Sequence, residues 1–417
     1  MTTSTSVRAH RQRLTDLLSP DPGPVWDVHV LHSLPAGNPN RDRFQRPKEQ
    51  TFGGMRRARI SSQSLKRATR ERMREALEGE VLGIRTRNVA SIVAEHIAAT
   101  EGRPPEWDEP AIAAIAAAVT VESHLRPQSS REPAEGDDAE ESGEAVVFVS
   151  EAELAHVARA VLSHRDEVEL STRKETTTAK LGANLKKQLM DPFPSALRPI
   201  EAALTGRFFA SRPDATIEAA VQVMHTFGIH PLLSETDFFS AVEERPVAEH
   251  AGAAHTGDAD FNASCHYKYA RVDVPQIALN LDPDDPSAQL DRARLAARAF
   301  VEAFIDAVPR AKQATMNAAT PASFALIVRR QRGGWNLANA FVDALRSRSD
   351  LVADGVRRLD AHLGHLLDST GDADLVGIDV VNRLGRDPID LAPVATGWTP
   401  GSRPGQLTTV LDRLAPA

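Results

Sequence analysis

The sequence predicts an α+β fold: a sheet packed on helices and interrupted by long excursions. Three observations predict it. Apolar and polar residues alternate over 25–34 and 264–274, the two-residue period of half-buried strands, and 322–329 reads as a further strand. Segments 61–76 and 287–308 instead carry apolar residues three and four apart, the period of an amphipathic helix. The strands are separated by long insertions, including a mostly helical stretch over 86–204, so the elements mix without a regular alternation.

Taken in order, residues 1–24 are polar, end in SPDPGP, and read as a flexible leader. The stretch VWDVHVLHSL, 25–34, is the first strand. A loop follows over 35–60, broken by Pro35, Pro39, Pro47, Gly53 and Gly54; the glycine pair permits backbone angles that other residues resist. Ser61 and Ser62 are both suitable N-caps for the helix LKRATRERMREAL. In that helix Leu65, Ala68, Thr69, Met73 and Ala76 share one face. Lys66, Arg70 and Arg74 form a basic stripe beside it.

Within 86–204 the segment 128–144 holds seven acids and one base and reads as a loosely held insert. A basic cluster of Arg173, Lys174, Lys180, Lys186 and Lys187 follows. GRFFASRP, 206–213, leads into a predicted helix TIEAAVQVMHTF, 216–227. Residues 229–255 are rich in loop formers and include Phe238-Phe239. After strand 264–274 come helix 287–308, strand 322–329 and helices over 336–347 and 351–368. Residues 382–405 read mostly as loop.

The chain has 417 residues, room for two or three domains. Apolar residues make up 41%, enough for a substantial core. The longest apolar run, AIAAIAAAV at 111–119, is too short to cross a bilayer, and the N-terminus lacks the apolar stretch of a signal peptide. A single cysteine, Cys265, excludes an intrachain disulfide and a multi-thiolate metal site. A cytoplasmic setting fits.

Catalytic signatures are absent. The sequence contains no GxxxxGK[ST] phosphate loop, no HExxH, no GxSxG and no DxDxDG loop. His29 and His32 near a strand end, three residues apart, suit either a metal or general-base role or ordinary strand polarity. Cys265 has no evident activating partner. Asp258 and Asp260 fit a metal site or a solvated loop.

The charge distribution is informative. Between Arg41 and Arg74, twelve of fifteen charged residues are basic, a net +9 on a chain of −8 overall, so the remainder carries −17. Such an island marks a surface for a polyanion. Arginine matches phosphate oxygens with a planar fork, and lysine with a mobile charge. Ser61, Ser62 and Gln63 add neutral donors where the free amides of a helix's first turn point. Phe208-Phe209 and Phe238-Phe239 fit either bases stacked by loop aromatics or a core.

The run NRDRFQRPKEQTFGGMRRARISSQSLKRATR resembles the N-terminal signature of the CasC family, the backbone (Cse-type) subunit of the type I-E CRISPR Cascade complex. The signature covers 28–70 in order. Weaker similarity continues at 84–86, 206–208, 237–242, 252–257, 267–274 and 311–313, so the resemblance spans about 26–330. It implies a right-hand shape. A modified RRM or ferredoxin-like palm covers 25–85, 205–234 and 267–371, with helical fingers at 86–204, a protruding thumb loop at 235–266 and a C-terminal extension at 372–417.

The resemblance further implies a subunit without catalytic role, cofactor or metal. Its partners would be CRISPR RNA, target DNA through guide pairing, further copies of itself, other Cascade subunits and a recruited helicase–nuclease. Lys48, Ser61, Gln63, Lys66 and Arg70 match palm contacts to the RNA backbone, and Arg41, Arg56, Arg57 and Arg59 join them as basic neighbours. Lys180, Lys186 and Lys187 fall near the fingers' lysines. Phe208, Phe238, Phe239 and Val242 match apolar base contacts. The alternative is an RNA-processing ribonuclease using His29, Asp42 or Asp258. The insert 128–144 and the segment after Asp372 have no counterpart in the signature.

Overall fold

The computed structural model describes residues 4–18, 23–123, 125, 146–209, 215–242, 253–346, 350–371, 373–384 and 407–415. The strands are β1 (Val25–Gly37), β2 (Glu49–Phe52), β3 (Met55–Ile60), β4 (Gly83–Thr86), β5 (Val147–Ser150), β6 (Val168–Arg173), β7 (Thr176–Leu181), β8 (Val221–Val223), β9 (Thr226–Gly228), β10 (Glu235–Val242), β11 (Ala253–Asp273), β12 (Phe324–Arg330) and β13 (Leu375–Asn382). The helices are α1 (Ser4–Leu17), α2 (Ser62–Met73), α3 (Val89–Ala99), α4 (Glu109–Glu122), α5 (Glu151–Ser163), α6 (Ala183–Met190), α7 (Ile200–Thr205), α8 (Val274–Leu281), α9 (Leu290–Asp306), α10 (Gln313–Met316), α11 (Leu351–Thr370) and α12 (Leu407–Leu414). The fold is α+β. No helix among the described residues is long and apolar enough to cross a membrane.

The chain divides into two compact units. One is built chiefly from Glu78–Ala220 and Gln276–Gln289, the other from Thr3–Leu77, Val221–Pro275 and Leu290–Ala417.

The second unit holds a nine-stranded antiparallel sheet in the order β13-β12-β1-β11-β9-β3-β2, with β8 and β10 also paired to β11. Strand β1 is central, and Val25–Leu34 pairs without interruption with Asp273–Ser264 of β11. Helices cover both faces. Leu31, Tyr267, Leu326 and Val328 pack with Val356, Leu359 and Leu363 of α11. The alternate residue Lys268 points the other way and donates to the carbonyls of Phe304 and Ile305 at the end of α9 (2.9 and 2.7 Å), satisfying groups that a helix C-terminus leaves open.

Strand β11 is twice as long as the predicted strand at 264–274. Its first part, Ala253–Phe261, pairs with β10 as a separate hairpin arm. Four further expectations change. The leader is helical over α1, because Leu14 and Leu18 are buried and Arg11 bonds Asp273 at 2.6 Å. The loop 35–60 contains the β2–β3 hairpin, turned by Gly53 and Gly54 at φ +58° and +73°, angles that favour glycine.

The predicted helix 216–227 is replaced by β8 and β9. Val221, Val223 and Phe227 suit strands, and pairing with β11 outweighs local helix preference. The predicted helix 336–347 is a short 3₁₀ turn, Leu337–Phe341, capped by Asn336. The C-terminal region adds β13 at the sheet edge and α12, whose Val410, Leu411 and Leu414 are buried. The acidic insert 128–144 lies outside the described residues, as do 385–406.

The first unit has its own core, with Val93, Ile97, Ile115, Val119, Leu154 and Leu185 among its members. The stretch 86–204 is helical in α3 to α7 but also carries β5 and the β6–β7 hairpin, which turns at Lys174 and Glu175 with positive φ. Helix α5 starts with a capping box: the Ser150 hydroxyl accepts from the Glu153 amide, and the Glu153 carboxylate accepts from the Ser150 amide.

Candidate nucleic-acid interface

The start of α2 organises the basic island. Ser61 is extended (φ −68°, ψ 145°), and its hydroxyl accepts from the Ser64 amide at 3.3 Å, as the sequence predicts. Leu65, Thr69 and Met73 are buried. Lys66, Arg70 and Arg74 lie half-exposed along the helix beside them, and Gln63 is exposed.

The preceding loop is tied to this helix end. The Asn40 side-chain oxygen accepts from the Ser61 amide at 2.8 Å, while the Asn40 carbonyl accepts from the Lys48 amide at 2.9 Å. The Lys48 carbonyl in turn accepts from the Arg59 amide at 2.8 Å. The Ser62 amide donates to Nδ1 of His225 at 2.9 Å. Burial and the neighbouring cations Arg59, Lys48 and Lys66 hold the His225 imidazole below its ordinary range. Lys48, Arg59, Lys66 and His225 therefore share one electrostatic neighbourhood at the helix N-terminus. Ser61 sits buried beneath it as the cap.

Other members of the island are engaged elsewhere. Arg57 is fully buried, and its guanidinium donates to the carbonyls of Gly228, Phe341 and Val342 (3.0, 3.1 and 3.2 Å). The expectation that Arg57 contacts phosphate is corrected: its fork holds the 3₁₀ turn onto the sheet. Arg56 pairs with Glu49, and Arg41 donates to the Gln45 side chain. Arg67 pairs with Glu71 at 2.9 Å, and Arg72 lies 3.9 Å from Asp306.

The aromatic candidates are on the surface. Phe208 is 72% exposed, Phe238 67% and Phe239 44%. Phe238 and Phe239 sit on β10 opposite Asp258 and Gly257. A Cβ at Gly257 would lie 2.7 Å from the Phe239 ring, so the glycine makes room for it. Val242 ends β10, and its side chain lies outside the described residues.

Phe209, next to Phe208 in the chain, belongs to the first unit's core. Arg207 lies over its ring at 4.7 Å and forms a buried ion pair with Glu153 at 2.7 Å. The lysines of that unit face solvent: Lys180 lies 3.6 Å from Glu169 and Lys186 lies 2.9 Å from Glu122. Lys187 is exposed.

Of the residues of the ribonuclease alternative, His29 and Asp42 make internal hydrogen bonds, and Asp258 lies on β11 opposite Phe238. His29 is buried, its Nδ1 is 2.9 Å from the Tyr267 hydroxyl, and burial pushes its pKa down to about 3. One Asp42 oxygen accepts from the amides of Phe44 and Arg46 (2.8 and 2.9 Å). His32 is buried with its Nδ1 3.1 Å from the Lys268 ammonium. Asp260 accepts from the Thr236 hydroxyl at 2.7 Å. Burial raises the Cys265 thiol to about 11. No cluster of metal-ligating side chains occurs among the described residues.

Sequence reasoning missed His225, Asn40 and the Arg207–Glu153 pair. Asn40 stands inside the NRD run and could have been found from it. His225 was hidden in a segment with helical patterning, and the ion pair joins residues 54 apart in the chain.

The sequence matches the CT1975-like protein family over residues 26–383. No curated protein matches it. Two similar solved chains have titles that name CRISPR RNA-guided surveillance complexes. One, "CRISPR RNA-guided surveillance complex, pre-nicking", is 24% identical with a TM-score of 0.72, covering 94% of this chain and 100% of that one. The other, "CRISPR RNA-guided surveillance complex", is 22% identical with a TM-score of 0.64, covering 93% and 99%. At these identities the likeness is one of fold.

Proposed function

The chain belongs to the CT1975-like protein family, and on that premise we propose that it is a non-catalytic, CRISPR RNA-binding backbone subunit of a surveillance complex of the type I-E Cascade kind. Copies line up along the guide RNA and present its spacer for pairing with target DNA. The observation that carries this reading is the gathering of Lys48, Arg59, Lys66 and His225 at the N-terminus of α2. The helix dipole and the gathered cations there both favour a phosphate. Phosphate contacts are indifferent to sequence, as a subunit meeting any spacer requires. Exposed Phe208, Phe238 and Phe239 offer faces that bases stack on without being read. Target choice is left to base pairing. The other partners are further Cascade subunits and the helicase–nuclease that acts on the bound DNA.

Salt-titrated binding of unrelated single-stranded RNAs tests the reading. Each phosphate contact contributes a slope of about −0.7 in log K against log salt for a single strand. Lys66→Ala with Arg70→Ala is expected to flatten the slope by roughly 1.4, equally for every RNA. A loss confined to particular sequences, or an unchanged slope, refutes the phosphate grip. RNA degradation that requires Asp42 would refute the non-catalytic role.

A further inference from the structure

The loop between β1 and β2 displays a side chain that the phosphate grip does not use. Phe44 is 65% exposed, and the Arg43 guanidinium lies over its ring, 4.8 Å from the centroid. An exposed phenylalanine costs apolar hydration. The loop is held in one shape. Asp42 accepts from the Phe44 and Arg46 amides, the Asp42 amide donates to the Arg46 carbonyl at 2.9 Å, and Gln45 adopts φ +66°. The buried Asn38 side chain ties the Gln45 carbonyl to the Asp260 carbonyl (3.0 and 2.9 Å). The ring is thus presented on a fixed platform.

The surroundings choose among occupants. From Arg41 to Lys48 the loop carries Arg41, Arg43, Arg46 and Lys48 against one acid, Asp42, a net +3. A protein partner burying Phe44 would have to desolvate these cations as well. A nucleic-acid strand needs both parts, a ring face for a base and cations for the flanking phosphates. The platform adjoins the phosphate neighbourhood, since Phe44 is four residues from Lys48 and so at most ~14 Å away along the chain. Asn40 fastens the loop base to Ser61.

We propose that Phe44, backed by Arg43, is a stacking site for an unpaired base of a single-stranded nucleic acid, adjacent to the phosphates held at α2. The site rests on the reading of α2 as an RNA grip. It adds a contact that is sequence-tolerant but requires a base, because a phosphate alone gains nothing from the ring. Arg43 enlarges the platform and attracts the base's π-face.

The test uses the full chain and a single-stranded RNA, intact or with abasic sites scanned along it. Phe44→Ala is expected to weaken binding about 5- to 100-fold with an unchanged salt slope, since no charge is lost. Phe44→Trp should bind as tightly as the unchanged protein. Abasic substitution at one position should weaken the unchanged protein and leave Phe44→Ala unaffected. Equal affinity of Phe44→Ala and the unchanged protein, while Lys66→Ala weakens binding, overturns the stacking site alone. Equal affinity of all three overturns the grip as well. A Phe44→Ala chain that binds RNA normally but no longer self-associates assigns the ring to a protein contact and overturns the proposal. Because Phe44 is exposed, thermal melts of the variants should coincide; a lower melt in Phe44→Ala, not matched by Phe44→Trp, would make the ring structural and also overturn it.

Discussion

Removing Arg207 should expose how the first unit holds the exposed Phe208. Arg207 and Glu153 are both buried, 4% and 0% exposed at the side chain, and their charges meet at 2.7 Å. Burial raises the Glu153 carboxyl despite Arg207, so the pair is costly to desolvate and unsafe to break. In Arg207→Met the buried carboxylate loses its ion-pair partner and keeps only the weaker influence of Arg198, where breaking a buried pair costs about 3–5 kcal/mol. Protonation offers an escape. Starting from the ordinary value of 4.5, neutralising the group costs about 3.4 kcal/mol at pH 7 and about 0.7 at pH 5, at 1.36 per unit. The penalty is therefore capped near 3 kcal/mol at pH 7 and falls to roughly 1 at pH 5.

The sign follows from linkage. The variant's folded pKa lies further above the unfolded value, so the folded state binds the proton more tightly, and stability rises as pH falls towards 4.5. Urea titrations at both pH values, read by hydrogen exchange in α5, measure it. Glu153→Gln keeps an acceptor for the Ser150 amide while removing the charge, so Glu153→Gln with Arg207→Met should be more stable than Arg207→Met alone at pH 7. A penalty equal at pH 5 and pH 7, or a double variant no better than the single, would refute the reasoning.

Two further outcomes are expected. At the β2–β3 turn, Gly54→Ala meets open space and carries only the strain of φ +73°, roughly 1 kcal/mol, whereas a Cβ at Gly53 would fall 1.7 Å from the Val342 carbonyl oxygen. Melting curves should therefore separate the two, with Gly53→Ala far lower. Acid should destabilise the second unit through His266, which is fully buried and held down to about 3. Below pH 6.5 the unfolded chain takes up a proton that the folded one refuses, so stability falls by up to about 1.4 kcal/mol per pH unit. Asp27, raised to about 6 by burial, acts in the opposite direction, since its folded form gains protons first as pH falls. The histidine effect is thus the difference between the unchanged protein and His266→Leu, whose pH 4–6 dependence should be shallower by about that slope; parallel curves would exclude it.

What was legible in the sequence was local. Ser61 caps α2 through its own third neighbour, and the apolar spacing of Leu65, Thr69 and Met73 set the buried face, so helix and face were readable. Gly53-Gly54 announced a turn but not the hairpin, because EQTF and MRRARI are short and mostly polar. Segment 216–227 was misread since its alanines and valines fit a helix by period. Strand β11 supplied the competing partner, and its presence beside Val221 and Phe227 is not written nearby. The aromatic positions were visible, while their exposure depended on tertiary packing: Phe208 and Phe209 are adjacent, yet one is on the surface and the other in the core.

The island of basic charge shows where composition stops being informative. Arg57 and Arg59 lie two residues apart on β3, and a two-residue period assigns them to one face. Their environments nevertheless differ. The carbonyls of Phe341 and Val342 lie over Arg57 and use its fork. Lys48, Lys66 and His225 gather near Arg59 at the start of α2. A guanidinium fully buried against carbonyls is out of reach of phosphate, whereas cations crowded around a helix N-terminus repel one another until an anion arrives. Binding a phosphate at α2 would relieve that repulsion, so the cationic crowding that adds to burial in depressing His225 supplies part of the drive for capture. The interface is thus defined less by how many arginines the run contains than by which basic side chains the fold gathers at the start of α2 and which, like Arg57, it buries.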